Sequence, residues 1–299
     1  MTELEHCRLC PRDCNAKRTS ETGGGFCGMG VLPSLARAAL HFWEEPCISG
    51  TRGSGTVFFT GCTLQCVFCQ NAEISTSSFH GKTVTPEQLS GIFRNLVEQG
   101  AHNINLVNPT HFVTAIVEAL RFRPLPVPVV YNSGGYESVK TLRMLEGLVD
   151  IYLPDCKYGN PEIAKRYSNA ADYEEVALAA IGEMVRQRGA PVFDADGMLQ
   201  SGVLVRHLIL PGNTKNSIRV LDRLRERFGE KILVSLLAQY LPCGRVDAAH
   251  FPEINRRITK RELEKVEDYL FASGLDGYVQ ERESAQQTYI PKFDFDGIL

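Results

Sequence analysis

From about residue 55 onward, short runs of β-branched and other apolar residues alternate with longer amphipathic stretches, and each run closes in a polar or turn-forming cluster. That alternation predicts strand, loop and helix repeating along the chain. Six strands are expected, at Thr56–Thr60, Asn103–Asn108, Val127–Asn132, Val149–Pro154, Gly202–Leu210 and Lys231–Gln239. Helical spacing of apolar positions recurs in Pro86–Gln99, Phe112–Arg121, Glu137–Leu145, Pro161–Tyr167, Asp172–Arg188, Asn216–Phe228 and Lys260–Ala272. Thr85 and Thr259 stand where N-caps are needed, and Pro86 suits a first helical turn. Strands separated by helices pair in parallel through right-handed crossovers. The expected fold is therefore α/β, a wound sheet or partial (β/α)6 TIM-like barrel.

The first 54 residues break this rhythm, being dense in Cys, Gly and Pro, with periodicity only around Leu35–His41. They are expected to form a small Cys-rich metal-binding segment (1–54), followed by the barrel (55–245) and a C-terminal helix and tail (246–299).

Composition narrows the function classes. The chain has 299 residues, with 32 Lys+Arg against 35 Asp+Glu, a formal charge of −3, and 43% hydrophobic residues. A near-neutral chain without a basic block offers no electrostatic footprint for nucleic acid or an anionic membrane. Its greasiest run, Ile232 to Leu241, is interrupted by Ser235 and Gln239 and falls short of the roughly 18 apolar residues of a membrane span. Glu3 and Glu5 ahead of two cysteines do not make a secretory leader, so a soluble, cytoplasmic protein is expected. Ten cysteines in such a chain point to reduced, metal-binding thiols rather than disulfides.

In parallel α/β proteins the chemistry gathers where the strands end. The predicted ends read Thr60-Gly61-Cys62, Asn108-Pro109-Thr110-His111, Asn132-Ser133-Gly134-Gly135, Asp155-Cys156-Lys157, Pro211-Gly212-Asn213 and Gln239-Tyr240. The first continues as Cys62-Thr63-Leu64-Gln65-Cys66-Val67-Phe68-Cys69, a C-x₃-C-x₂-C loop. Thiolates suit zinc or iron–sulfur clusters, and a [4Fe–4S] cluster normally takes four, so three leave one iron open to a small molecule. A structural zinc site would instead recruit a fourth protein ligand.

This loop, with Phe68 immediately before its third cysteine, resembles the hallmark of radical S-adenosylmethionine (SAM) enzymes. The resemblance implies that Cys62, Cys66 and Cys69 hold a [4Fe–4S] cluster and that SAM binds the open iron. It also implies reductive cleavage to a 5′-deoxyadenosyl radical, with Phe68 near the adenine. From Gly55 to Gln239 the chain is most similar to proteins related to pyruvate formate-lyase-activating enzyme; activating enzymes abstract a hydrogen from a glycine of a partner enzyme, while many of their relatives have no assigned substrate. An external low-potential donor, flavodoxin or ferredoxin, is implied with it.

Further site assignments follow strand by strand. The family's Gly-Gly-Glu segment is replaced by Asn108-Pro109-Thr110-His111, leaving Asn108 and backbone carbonyls to meet the methionine moiety. Asn132, Ser133 and Gly134 are candidate contacts for ribose or carboxylate, against the plain alternative of a Gly-Gly turn. Asp155 and Lys157 resemble the Asp-x-Lys pair of glycyl-radical activating enzymes, which implies a Lys157 contact to SAM and an acid near the substrate. Cys156 is a candidate hydrogen donor or a space-filling side chain. Strand alternation sends Arg206 and His207 to opposite faces, and Arg206 is the one expected inside. Gln239 and Tyr240 are candidates for the mouth or for packing.

Cys7, Cys10, Cys14 and Cys27 have the count of a complete four-thiolate site, for zinc or a second iron–sulfur cluster. Cys47 is expected to pack, and Cys243 carries no assignment. Two function classes remain: an enzyme making a deoxyadenosyl radical, to activate a glycyl-radical partner or to modify a small molecule or peptide, and a noncatalytic metal-bearing scaffold.

Overall fold

A computed structural model describes residues 4–76, 79–280 and 291–298. The strands, in chain order, are β1 (Leu4–Cys7), β2 (Ala16–Arg18), β3 (Ser34–His41), β4 (Ser54–Phe59), β5 (Lys82–Thr83), β6 (Ile104–Val107), β7 (Val129–Ser133), β8 (Ile151–Pro154), β9 (Val192–Phe193), β10 (Leu199–Leu208), β11 (Leu233–Leu237) and β12 (Gly277–Val279). β1 and β2 form a small antiparallel ribbon. The large sheet runs β12-β11-β10-β8-β7-β6-β4-β3-β5, with β9 beside β10. From β4 through β12 along that path every pairing is parallel. All six expected strands are present, in a curved α/β sheet of the partial TIM-barrel kind.

The helices form where capping and patterning agree. Pro86–Glu98 starts on a reciprocal capping box between Thr85 and Gln88 and buries Leu89, Ile92, Phe93 and Leu96, a spacing that makes one apolar stripe. Lys260–Ser273 starts on the same device between Thr259 and Glu262. These stripes cover the outer face of the sheet and form one large core with its apolar side chains.

Two differences from the expected organisation concern the ends of the chain. The stretch around Leu35–His41 is a strand, β3, paired antiparallel with β4, so the boundary expected at residue 54 falls inside a continuous sheet. The C-terminal region also returns: β12 adds a seventh parallel strand beside β11, while the Phe295 amide bonds the Ala36 carbonyl and the Ala38 amide bonds the Asp296 carbonyl. Arg37 fastens this return through Asp294 and Asp296, at 2.6 and 2.8 Å. Gly277 is needed in β12, because a Cβ there would run into the Val234 carbonyl. Among the described residues no helix is long and apolar enough to cross a membrane.

Candidate active site

The C-terminal strand ends surround a cavity of about 250 Å³. Cys66, Phe68, Cys69, Asn132, Asp155, Lys157, Arg206 and Gln239 line it, joined by Glu44 from the N-terminal segment and Pro291 from the C-terminal one.

The three-cysteine loop leaves β4 through Gly61, whose φ of 75° favours glycine and where a Cβ would lie 2.5 Å from Met29 Cγ. Inside the loop the thiols already meet donors. The Leu64 and Gln65 amides point at Cys62 Sγ at 3.3 and 3.4 Å. Ser168 donates to Cys66 Sγ at 2.9 Å and lies 2.6 Å from the Tyr158 hydroxyl. Cys243 Sγ donates to the Phe68 carbonyl at 3.3 Å, which ties the chain after β11 to the loop. Burial, then the neighbouring thiols, push Cys62 up to about 11 and Cys69 up to about 12. Such thiols become thiolates only if a cation joins them, which is the effect of a bound metal.

The donor set also discriminates between metals. Structural zinc takes four protein ligands, whereas three free thiols from one loop match a [4Fe–4S] cluster with one iron left open.

Opposite the loop, charges interlock. Lys157 Nζ lies 2.5 Å from Asp155 Oδ2, and Arg206 Nε lies 3.0 Å from Asp155 Oδ1. Arg206 also donates to Asn132 Oδ1 at 2.6 Å and reaches Glu44 Oε2 at 3.3 Å, while the Asn132 amide points at Glu44 Oε1 at 3.4 Å. Burial alone would raise the Asp155 pKa, but Lys157 and Arg206 outweigh it and hold the carboxyl below its usual range. Burial would strip the Lys157 charge, and Asp155 and Cys66 more than offset that. Glu44 is pushed up by burial against the opposing pull of Arg206. The result is an ionised Asp155 between two held cations, with the Lys157 charge felt by Cys62 and Cys69.

Phe68 is 5% exposed and lines the cavity, braced edge-on by Tyr158, Tyr167 and Tyr240 with ring centres 6.1–6.4 Å away. Tyr240 itself is buried and donates to the Ile254 carbonyl at 2.9 Å. Strand alternation sorts the next pair: Arg206 lines the cavity, while His207 is fully buried with Nδ1 2.6 Å from the Cys156 carbonyl.

Several expected contacts lie elsewhere. Cys156 does not line the cavity; it belongs to the apolar core, where burial pushes its thiol up to about 12, so its place is that of a packing side chain. Asn108, in a left-handed conformation, bonds the Gly61 carbonyl and so braces the cysteine loop from behind. Ser133 Oγ accepts from the Gly135 amide at 3.3 Å, and a Cβ at Gly134 would lie 2.8 Å from Leu64. Both belong to a tight turn rather than to the lining. Cys47 is buried in a secondary apolar cluster.

The sequence reading missed Glu44 and Ser168. Glu44 follows the apolar stretch of β3 as an ordinary surface acid would, and only the β3–β4 hairpin brings it to Arg206. Ser168 ends the helix Pro161–Ser168, a long way along the chain from the thiol it meets.

Residues 56–225 match the family model of the radical SAM superfamily. An uncharacterized protein of Methanocaldococcus jannaschii, MJ0674, is 29% identical over 270 residues, which cover 88% of this chain and 73% of that one. A radical SAM methyltransferase from Sphaerobacter thermophilus matches in structure with a TM-score of 0.50 at 15% identity, covering 76% of this chain and 66% of its own. A domain of pyruvate-formate lyase-activating enzyme from Bacteroides vulgatus aligns with a TM-score of 0.36 at 15% identity, over 66% of this chain and 91% of that domain.

Proposed function

The chain belongs to the radical SAM superfamily, and from that premise we propose that its cavity is the site of reductive SAM cleavage for hydrogen abstraction. The observation that carries this reading is the meeting, in one cavity, of the three-cysteine loop with the Lys157–Asp155–Arg206 network. Cys62, Cys66 and Cys69 would hold the [4Fe–4S] cluster, which when bound would supply the electron for reductive cleavage of SAM.

The protein's own part is binding and orientation. Lys157 presents an ammonium beside the thiols and would meet the SAM carboxylate as a point charge. Asp155 keeps that ammonium in place and takes up one side of Arg206. Asn132 and Glu44 take up the other side, so the guanidinium has little freedom to reorient when SAM enters. Phe68 offers an apolar face for the adenine, held rigid by three tyrosines. With SAM and substrate seated, these interlocked walls would shield a reactive radical from water.

Within this chemistry we favour hydrogen abstraction of the glycyl-radical activating type, because Asp155 and Lys157 keep the Asp-x-Lys pattern and face the cavity together. The substrate would then be a loop of a glycyl-radical enzyme, with another peptide or a small molecule as the rival, and flavodoxin or ferredoxin as the electron donor. A cytoplasmic location suits ten unpaired cysteines.

The test is anaerobic reconstitution, reduction with dithionite and addition of SAM. 5′-Deoxyadenosine and methionine are expected as products, and Cys66→Ala should abolish both. A noncatalytic scaffold would leave SAM intact in either protein. Co-incubation with a candidate glycyl-radical enzyme should then produce a glycyl EPR doublet on that partner, and its absence with every such partner would leave the peptide or small-molecule reading.

A further inference from the structure

Outside the cavity, the N-terminal segment gathers four thiols. The β1–β2 ribbon sets Cys7 opposite Ala16. The connecting turn folds back through Asp13 N–H to the Cys10 carbonyl at 3.0 Å and Asn15 N–H to the Cys7 carbonyl at 3.1 Å. Asp13 and Asn15 both take positive φ there, at 40° and 51°, which keeps the turn tight. Cys27 arrives from a second turn, closed by Gly28 N–H to the Gly25 carbonyl at 2.9 Å. A Cβ on Gly25 would sit 2.8 Å from Cys14 Sγ. Cys27 senses the charges of Cys7 and Cys14, and Cys10 senses those of Cys7 and Cys27, so the four form one group.

A second, independent observation is Arg18. It is 1% exposed, and it donates to the Met29 carbonyl at 2.9 Å, to the Gly30 carbonyl, and through Nη1 to Cys7 Sγ at 3.5 Å. Among the described residues it has no ion pair with a carboxylate. A guanidinium removed from water among neutral acceptors is costly unless a negative centre lies beside it. Four thiolates around a metal are such a centre, and the Arg18 fork is aimed at one of them.

Tetrahedral sulfur suits zinc and iron–sulfur clusters alike, and this segment lies against the three-cysteine loop through the Arg12–Thr63 and Gln65–Phe26 hydrogen bonds. We propose that Cys7, Cys10, Cys14 and Cys27 hold a second, fully ligated iron–sulfur cluster, with Arg18 as its buried counter-charge. Complete ligation leaves no open iron, so this cluster would not bind SAM and the inference stands whether or not SAM is cleaved. The segment also grips the cavity loop: Arg12 donates to the Thr63 carbonyl at 2.8 Å and Gln65 donates to the Phe26 carbonyl at 2.9 Å. Loading the second cluster would therefore firm the neighbouring three-cysteine loop.

The experiment uses the full chain, reconstituted anaerobically with iron and sulfide, and counts iron, sulfide and zinc per chain. Wild type should carry about eight irons, and about four should remain in the Cys62→Ala/Cys66→Ala/Cys69→Ala protein, as two four-iron clusters require. A triple variant without iron, or with one zinc per chain, overturns the proposal. Because loss of the buried Cys7 side chain can itself unfold the segment, Arg18→Gln in the triple-variant background provides the second reading, with all four thiols kept. Removing a positive charge beside the cluster should move its reduction potential to more negative values, measured by EPR-monitored titration. An unchanged potential overturns the role given to Arg18.

Discussion

Replacing Asp155 by Asn removes one negative charge from between two cations. The carboxylate makes charge-assisted contacts to Lys157 at 2.5 Å and Arg206 at 3.0 Å, with all three side chains 16–17% exposed. A hydrogen bond to a charged group contributes about 1.5–3 kcal/mol, and the remaining amide oxygen can satisfy only one of the two partners. Losing the other contact, and leaving Lys157 and Arg206 to repel each other, should cost about 3 kcal/mol. At roughly 2 °C per kcal/mol for a chain of this size, the midpoint of thermal unfolding at pH 7 should fall by about 6 °C. The pH dependence gives the sign. Because the Asp155 pKa is held below its usual value, its contribution is full above about pH 3.9 and is lost only as the pH falls through the lower, folded value. The gap between wild type and variant should thus stay level from pH 7 to about pH 5 and close only in stronger acid. Differential scanning calorimetry at pH 7 and 5 measures it, with SAM titrated in parallel, where affinity should drop at least tenfold. A gap under 1 °C, or one that closes by pH 5, would show that Asp155 is not an ionised bridge.

Other consequences are separable from that one. His207 is buried and neutral, pushed by burial to about 4 against an ordinary value of 6.5. Its folded pKa is depressed, so its contribution is present above pH 6.5 and fades toward pH 4; in denaturant melts the deficit of His207→Asn at pH 7 should shrink by about 2 kcal/mol by pH 5, and a constant deficit would refute the assignment. Gly61→Ala should strain the exit from β4 and collide with Met29, lowering iron bound by the loop several-fold at unchanged helix content by circular dichroism; full iron loading would contradict it. Thr85→Ala should remove the capping box of Pro86–Glu98 and cost about 1 kcal/mol without changing 5′-deoxyadenosine yield, and an equal loss of yield would mean that the helix is coupled to the site.

The barrel strands were legible because each buried run is punctuated by Gly, Pro or polar residues, and the capped helices between them announce their own starts. Strand ends rich in Cys, Asp and Asn pointed to the cavity that those ends surround, and alternation puts Arg206 in its lining and His207 in the core. What escaped depends on contacts distant in sequence. β3 and β12 are edge additions whose pairing is decided by space beside β4 and β11, and β12 is only three residues long with glycine at its start. Glu44 reaches Arg206 only after the hairpin forms. Cys156 shows the limit of position along the chain: it stands between two cavity residues, yet the pleat turns its side chain into the core.

The most direct measurement is EPR of the anaerobically loaded, dithionite-reduced protein before and after SAM. Coordination of SAM to an iron without a protein ligand should shift the signal of the cluster at Cys62, Cys66 and Cys69, and Cys66→Ala should remove that response. An identical spectrum with and without SAM, from protein whose three thiols carry iron, would contradict the account.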